Sequence, residues 1–462
     1  MVRRLGDALA AWTRRWVPDP FIFAILLTAL AFLLAVLFGK EGFSLVDTIG
    51  AWGGRLKDGE VAPDEQGVWK FLAFSMQMCL ILVTGHALAA TRLVGGWIQR
   101  IASVPKSTAG AAGLTALVAM CGAWVNWGLG LIMGALLARE IGRVARADGR
   151  PLHYPLVVAA GYVGLMVWHG GLSGTAPFKM TQMKDVVEVL GDRAQQVGEV
   201  PLNETVFSPL NLVVTALVLL VVPLLFIMLA PRKDDPHEAA PALPASESEP
   251  ESRDTPADRM NHSLLLTLFI VAIGAAYLFL FVPRVGVFSI DINIVILFFL
   301  LLGLALHGSP VRYVNAIGEA AGGCGGIILQ FPFYAGIQAV LAASGIIALV
   351  SNWVAENATA QTLPLFTFLS AGLVNLFVPS GGGQWGVQGP VVVETALQLG
   401  SPIGANVIAL AYGDQWTNML QPFWALPLLS LAGLRARDII GYTAAVMLLS
   451  APLFILPLLF FR

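Results

Sequence analysis

Val374–Pro390, VNLFVPSGGGQWGVQGP, carries five glycines in its last ten residues, with Ser380, Gln384 and Gln388 beside them. Apolar sequence flanks it on both sides. Two readings compete: an ordinary turn outside a bilayer, or a chain broken at membrane depth. Non-helical backbone inside a bilayer persists only where protein or a water-filled cavity satisfies its amides and carbonyls. A polar, glycine-rich break between apolar arms therefore points to a binding site, and it sets the fold class: an all-α polytopic membrane protein with re-entrant helical hairpins and discontinuous transmembrane helices.

Composition agrees. The chain has 462 residues, 57% hydrophobic and 12% charged, with a mean hydropathy of +0.76. Repeated apolar runs of about 20 residues exclude a soluble domain. The net charge of -2 gives no reason to expect a nucleic-acid partner. The first apolar run ends at Lys40 without a small-residue cleavage pattern, and another span follows, unlike a secretory signal. Cys79, Cys121 and Cys324 are too scattered for a disulfide framework or a metal site. No Walker phosphate loop and no H-E-x-x-H motif is present, so neither an enzyme nor a cofactor is expected.

In chain order, residues 1–18 read as an N-terminal interfacial segment. Leu5, Leu9, Trp12 and Trp16 share a helix face, and Arg3, Arg4, Arg14 and Arg15 place it on the cytoplasmic side. Residues 19–230 form a first transmembrane repeat, with spans near 20–39, 68–91, 154–177 and 208–230. Its hairpin at 106–142 has its tip at Val125–Gly130; two short crossings are the alternative. The span at 154–177 is broken by WHGGLSGTAP, and 178–206 reads as a polar outer loop. Residues 231–260, rich in Pro, Ala, Ser and acids, read as a disordered cytoplasmic linker. The second repeat, 261–462, holds spans near 261–282, 288–307, 325–345 and 439–460. It also holds a hairpin at 362–399 and a polar-interrupted span at 404–434.

The halves resemble each other. MQMCLILVTGHALAAT (76–91) lies over LQFPFYAGIQAVLAAS (329–344), AWVNWGLG around Asn126 over GLVNLFVPSGGG around Asn375, and each pair precedes a broken span. On this topology the repeats are inverted, which places a site where their breaks meet.

A helix that starts at mid-membrane leaves amide donors with partial positive charge, which favour an anion. Candidate contacts for a small carboxylate are Asn126, Trp127 and Gly128 at the first tip, and Ser173 and Thr175 in the first broken span. The second half adds Asn375, Ser380, Gly381, Gly382, Gly383, Gln384 and Gln388 around its tip, and Asn418 and Gln421 in its broken span. Carbonyls ending the first arms at the hairpin tips are candidate sodium ligands. Ionisable residues inside apolar spans are costly and usually functional. Asp414 and His169 are thus the coupling candidates, weighed against a helix cap and a structural histidine respectively.

These residues carry a resemblance. WVPDPFIFAILLT, MQM…VTGHALA, VNWGLGLIMGALLARE, QFPFYAGIQ, VPSGGGQW..QGP and AYGDQWTNMLQPFWALP are similar to motifs of the bacterial short-chain fatty acid transporter family. The resemblance implies a secondary carrier of small monocarboxylates such as butyrate or acetoacetate in the bacterial inner membrane. It also implies an ion-transporter-like architecture, often a homodimer, driven by a proton or sodium gradient. Where relatives can carry a histidine after the triple glycine, this chain has Gln384, which does not titrate. A carrier of another small organic anion or a dicarboxylate is the alternative, and an anion channel a more distant one.

Overall fold

The structure, a computed structural model, describes residues 2–57, 60–61, 66–191, 194–231, 255–285 and 292–460. The first half runs α1 (Val2–Trp16), α2 (Pro20–Phe38), α3 (Leu45–Gly53), α4 (Leu72–Ala89), α5 (Arg92–Ala102), α6 (Thr108–Val125), α7 (Trp127–Ala147) and α8 (Tyr154–Tyr162). Three short helices, α9 (Thr175–Lys179), α10 (Met183–Leu190) and α11 (Ala194–Val197), lead to α12 (Pro209–Leu229). The second half runs α13 (Pro256–Asn261), α14 (Leu264–Val285), α15 (Ile292–His307), α16 (Pro310–Ala321), α17 (Gly325–Ala343) and α18 (Ile346–Asn357). It ends with α19 (Leu363–Asn375), α20 (Gly381–Leu399), α21 (Ile403–Thr417), α22 (Pro422–Ala432) and α23 (Ala436–Phe460). One antiparallel pair, Leu56–Lys57 with Glu60–Val61, is the only β structure among the described residues.

Local chemistry sets many of these boundaries. Asp19 accepts from the Phe21 N–H with Pro20 in the first turn, so α2 starts where the apolar run starts. Ser107, Ser208 and Ser309 cap α6, α12 and α16. Gly400 and Gly433 take left-handed backbone at the ends of α20 and α22. Among the described residues, seven helical stretches are long and apolar enough to cross a membrane. The helices at 20–38 and 256–283 keep mostly apolar, exposed faces, with Leu265 and Phe279 77% and 81% exposed, as expected of lipid-facing helices.

Around the breaks, helices pack through backbone. A methyl group on Gly134 of α7 would sit 2.2 Å from the Gly161 carbonyl oxygen of α8. One on Gly413 of α21 would sit 2.2 Å from the Phe368 oxygen of α19. Only glycine permits such approaches, which join each hairpin to the broken span that follows it.

The structure departs from the sequence reading in several places. The outer loop at 178–206 folds into α9–α11, and Val186, Leu190, Ala194 and Val200 pack with Trp385, Val392 and Val393. Helices α3, α5 and α18 occupy stretches left without structure. Of the stretch read as a linker, 232–254 lie outside the described residues. Its end is ordered: α13 starts at Pro256 behind a capping box between Thr255 and Asp258.

Candidate functional site

The first break is a single residue. Asn126 is extended, at φ -154 and ψ 127, and it both ends α6 and caps α7. Its Oδ1 accepts from the N–H groups of Gly128 and Leu129 at 3.0 and 3.3 Å. Ser173, from the first broken span, accepts from the Trp127 N–H at 3.0 Å. The Leu172 N–H donates to the Trp124 carbonyl at 2.7 Å. The donors that open α7 are therefore satisfied inside the protein. Around Trp127 stand Phe74, Trp168 and Trp424, with ring centroids 6.2, 6.5 and 5.3 Å away.

The second break is longer. Chain 376–380 separates α19 from α20, and Ser380 accepts from the Gly383 N–H at 3.2 Å. No acceptor among the described residues takes the N–H of Gly381 or Gly382. Gly382 is exposed, while Ser380, Ser173 and Thr175 are half-buried. A Cβ on Gly381 would lie 2.7 Å from Trp168 and 2.9 Å from His169. On Gly382 the nearest atom would be Thr175 Cγ2 at 3.4 Å. Gln384 and Gln388 are buried within their own hairpin. Gln384 donates to the Ala371 carbonyl and to Gln388 Oε1, both at 2.8 Å, and Gln388 reaches Ser370 Oγ at 3.5 Å. Both tie α20 to α19.

The two broken spans meet between the hairpins. His169 Nδ1 contacts Asp414 Oδ2, and the two side chains are 0% and 1% exposed. The Ala176 N–H donates to His169 Nε2 at 3.0 Å, so that nitrogen acts as an acceptor and the ring proton sits on Nδ1, facing the carboxylate. Trp168 stacks on the imidazole at 4.3 Å. Gln415 accepts from the His169 and Gly170 amides, both at 3.1 Å. Asn375 donates to the Asp414 carbonyl, Thr417 Oγ1 and Asn418 Oδ1 at 2.8, 3.0 and 2.9 Å. Gln421 donates to the Asn375 carbonyl at 2.5 Å. The Tyr162 hydroxyl reaches the carbonyls of Asn418 and Gln421 at 2.8 and 2.7 Å. Asn375, Asn418 and Gln421 thus brace the second broken span.

Sequence reasoning missed Gln338, Gln415, Trp168 and Tyr162. Gln338, buried on α17, has both amide atoms without partners among the described residues and lies against Gly383. A glutamine inside AGIQAVLAA was the available signal, whereas Tyr162 carried none. Other ionisable groups in or beside the apolar spans are engaged locally. Glu140 pairs with Arg143 at 2.7 Å, Glu394 accepts from Gln398, and Arg139 meets His86 at 3.0 Å. Trp416 donates to the Met447 carbonyl, and Trp385 is buried. Burial works against the Lys179 ammonium, but bonds to Glu188 and Asp185 outweigh it and hold its pKa above the ordinary value. Among the described residues no group of three or more His, Cys, Asp or Glu could hold a metal.

Long apolar helices that break at one shared, buried polar centre define the class: an all-helical, multi-pass membrane protein whose polar chemistry lies inside the helix bundle. The chain belongs to the Short chain fatty acid transporter family, whose profile matches residues 1–461. Over 465 residues, covering 100% of both chains, it is 38% identical to a protein of Escherichia coli (strain K12) named as a candidate short-chain fatty acid transporter. It is 36% identical, at the same coverage, to one of the same description from Haemophilus influenzae. The chain is a transporter by family, and not an enzyme. The crystal structure of the Alcanivorax borkumensis YdaH transporter, with its unusual topology, aligns over 96% of this chain and 97% of its own. The two chains are 18% identical, with a TM-score of 0.43.

Proposed function

We propose that this protein carries short-chain monocarboxylates, of the butyrate or acetoacetate type, across the bacterial inner membrane by alternating access, driven by an ion gradient. The observation behind this reading is the pair of amide donors at buried Gly381 and exposed Gly382, which open α20 without an acceptor among the described residues, beside half-buried Ser380 and Thr175. Helix N-terminal donors of this kind suit one carboxylate. A dicarboxylate asks for a second set, and the donors at the first tip are taken by Asn126 and Ser173. That favours a monocarboxylate over the dicarboxylate reading. The aromatic group around Trp127, joined to the second tip through Trp168, gives an acyl chain an apolar wall.

The proposed mechanism uses two inverted repeats, 19–230 and 261–462, with re-entrant hairpins at 106–142 and 362–399 and a cytoplasmic N-terminus. What supports it is the recurrence of one pattern: an asparagine, Asn126 or Asn375, at the end of each first arm, followed by a hairpin arm and then a broken span. A homodimer and coupling to a sodium or proton gradient belong to the same proposal.

The test is counterflow in proteoliposomes. Trans butyrate accelerates entry of labelled butyrate through a carrier and leaves a simple pore unaffected. Absence of saturable entry for acetate, butyrate and acetoacetate alike rules out the monocarboxylate reading.

A further inference from the structure

We infer that the coupling ion is a proton carried on Asp414, while His169 stays neutral throughout as the fixed donor that orients it. This deepens the carrier reading above and rests on it. The protons around the pair can be placed atom by atom. A backbone N–H can only donate, so the Ala176 amide requires a lone pair at His169 Nε2. The imidazole proton is then on Nδ1, donated to Asp414 Oδ2. Neutral imidazole beside carboxylate leaves one buried negative charge with no cation paired to it among the described residues, a costly arrangement inside a bilayer.

A second proton has two places to go. On Nε2 it would meet the Ala176 N–H head on and push away the start of α9. Asp414 Oδ1, by contrast, is buried and has no partner among the described residues. A proton from the bulk therefore adds there: carboxylate becomes carboxylic acid, the Nδ1–H···Oδ2 contact survives, and the pair becomes neutral. Release on the other side reverses the step, and no further reactant is needed.

The same geometry connects the proton to the substrate anion. The His169 ring lies against Gly381, and its Nε2 is held by the residue after Thr175, which faces Gly382. An anion on the Gly381 and Gly382 amides thus approaches the charged pair and is repelled by it until Asp414 is protonated. Proton and carboxylate consequently load together.

Titratable groups on the elements packed against α21 are engaged elsewhere. Lys179 on α9 binds Asp185 and Glu188, Glu394 on α20 accepts from Gln398, and Tyr442 on α23 meets His153. Arg437 and Asp438 lie in the first turn of α23, and Asp438 accepts from the Arg435 N–H. They are roughly 14 Å of helix from Met447, where Trp416 of α21 meets α23. Tyr412 on α21 itself donates to Asn211.

The experiment pairs transport with spectroscopy on the full chain in lipid. Asp414→Asn should lose accumulation of labelled butyrate on an imposed pH gradient by tenfold or more. His169→Gln should shift the pH profile of butyrate accumulation. Infrared difference spectra on acidification should show a protonated carboxyl band that Asp414→Asn lacks; this measurement needs no substrate, so it stands even if no short acid is carried. Where Asp414→Asn does not fold, a shift of that band in Asp414→Glu reports the same group. The inference is overturned if the band is absent from the wild-type protein or persists in Asp414→Asn. It is equally overturned if Asp414→Asn still accumulates butyrate on a pH gradient, or if a sodium gradient at equal pH drives accumulation.

Discussion

The two hairpin tips begin from the same plan and end in different chemistry. At the first, an asparagine side chain and a serine from the neighbouring span take the donors that open α7. At the second, Ser380 takes only the Gly383 N–H, leaving those of Gly381 and Gly382. The difference follows from spacing. One residue, Asn126, forms the first break and caps from within it. In the second, five residues separate Asn375 from α20, so the equivalent asparagine turns instead to Asp414, Thr417 and Asn418. A tip that caps itself is structural; a tip with donors to spare can bind.

Substitutions at the two tips should therefore fall into separate classes. Gly381→Ala should have the largest effect, because its methyl group would press on Trp168 and His169 at 2.7 and 2.9 Å. Its KM for butyrate in proteoliposomes should rise about tenfold or more, equivalent to ~1.4 kcal/mol. An unchanged KM breaks the assignment of binding to this tip. Asn126→Ala removes the cap on two amides and should cost ~0.5–2 kcal/mol of stability, measured as a lower Tm in detergent. Its KM should stay at the wild-type value, and a large KM change would make the tips alike after all. Gly382→Ala meets Thr175 at an ordinary 3.4 Å, so stability should hold within ~0.5 kcal/mol. A KM rise of about threefold, near ~0.6 kcal/mol, is expected from narrower access to the amide.

Much of this fold was legible in the chain. Apolar runs and their caps placed α2 at Pro20–Phe38 and α12 at Pro209–Leu229, within a residue or two of the expected spans. Glycine and proline marked the breaks. Helix α18 escaped because IIALVSNWVAEN follows α17 across Ser344 and Gly345 alone, with no proline or side-chain cap to announce a new helix. The packing of α10 and α11 escaped because Val186, Leu190 and Ala194 are dispersed among charges, and their partner Trp385 lies far along the chain. The site was legible as a set of residues and not as a set of bonds. His169 and Asp414 each stood out as ionisable groups in apolar sequence, yet their contact joins positions 245 residues apart. Nothing local specifies that Nε2 faces the Ala176 amide, which fixes the tautomer.

That separation also has a consequence for how the protein is made. His169 reaches the membrane well before its carboxylate partner, 245 residues later in synthesis. At ~5–20 residues per second the interval is about 10–50 s. During that time the first half holds a broken helix whose histidine lacks Asp414, whose Tyr162 lacks Asn418, and whose His169 and Gly170 amides lack Gln415. The bond that sets the charge of the centre can thus form only after most of the chain has been synthesised.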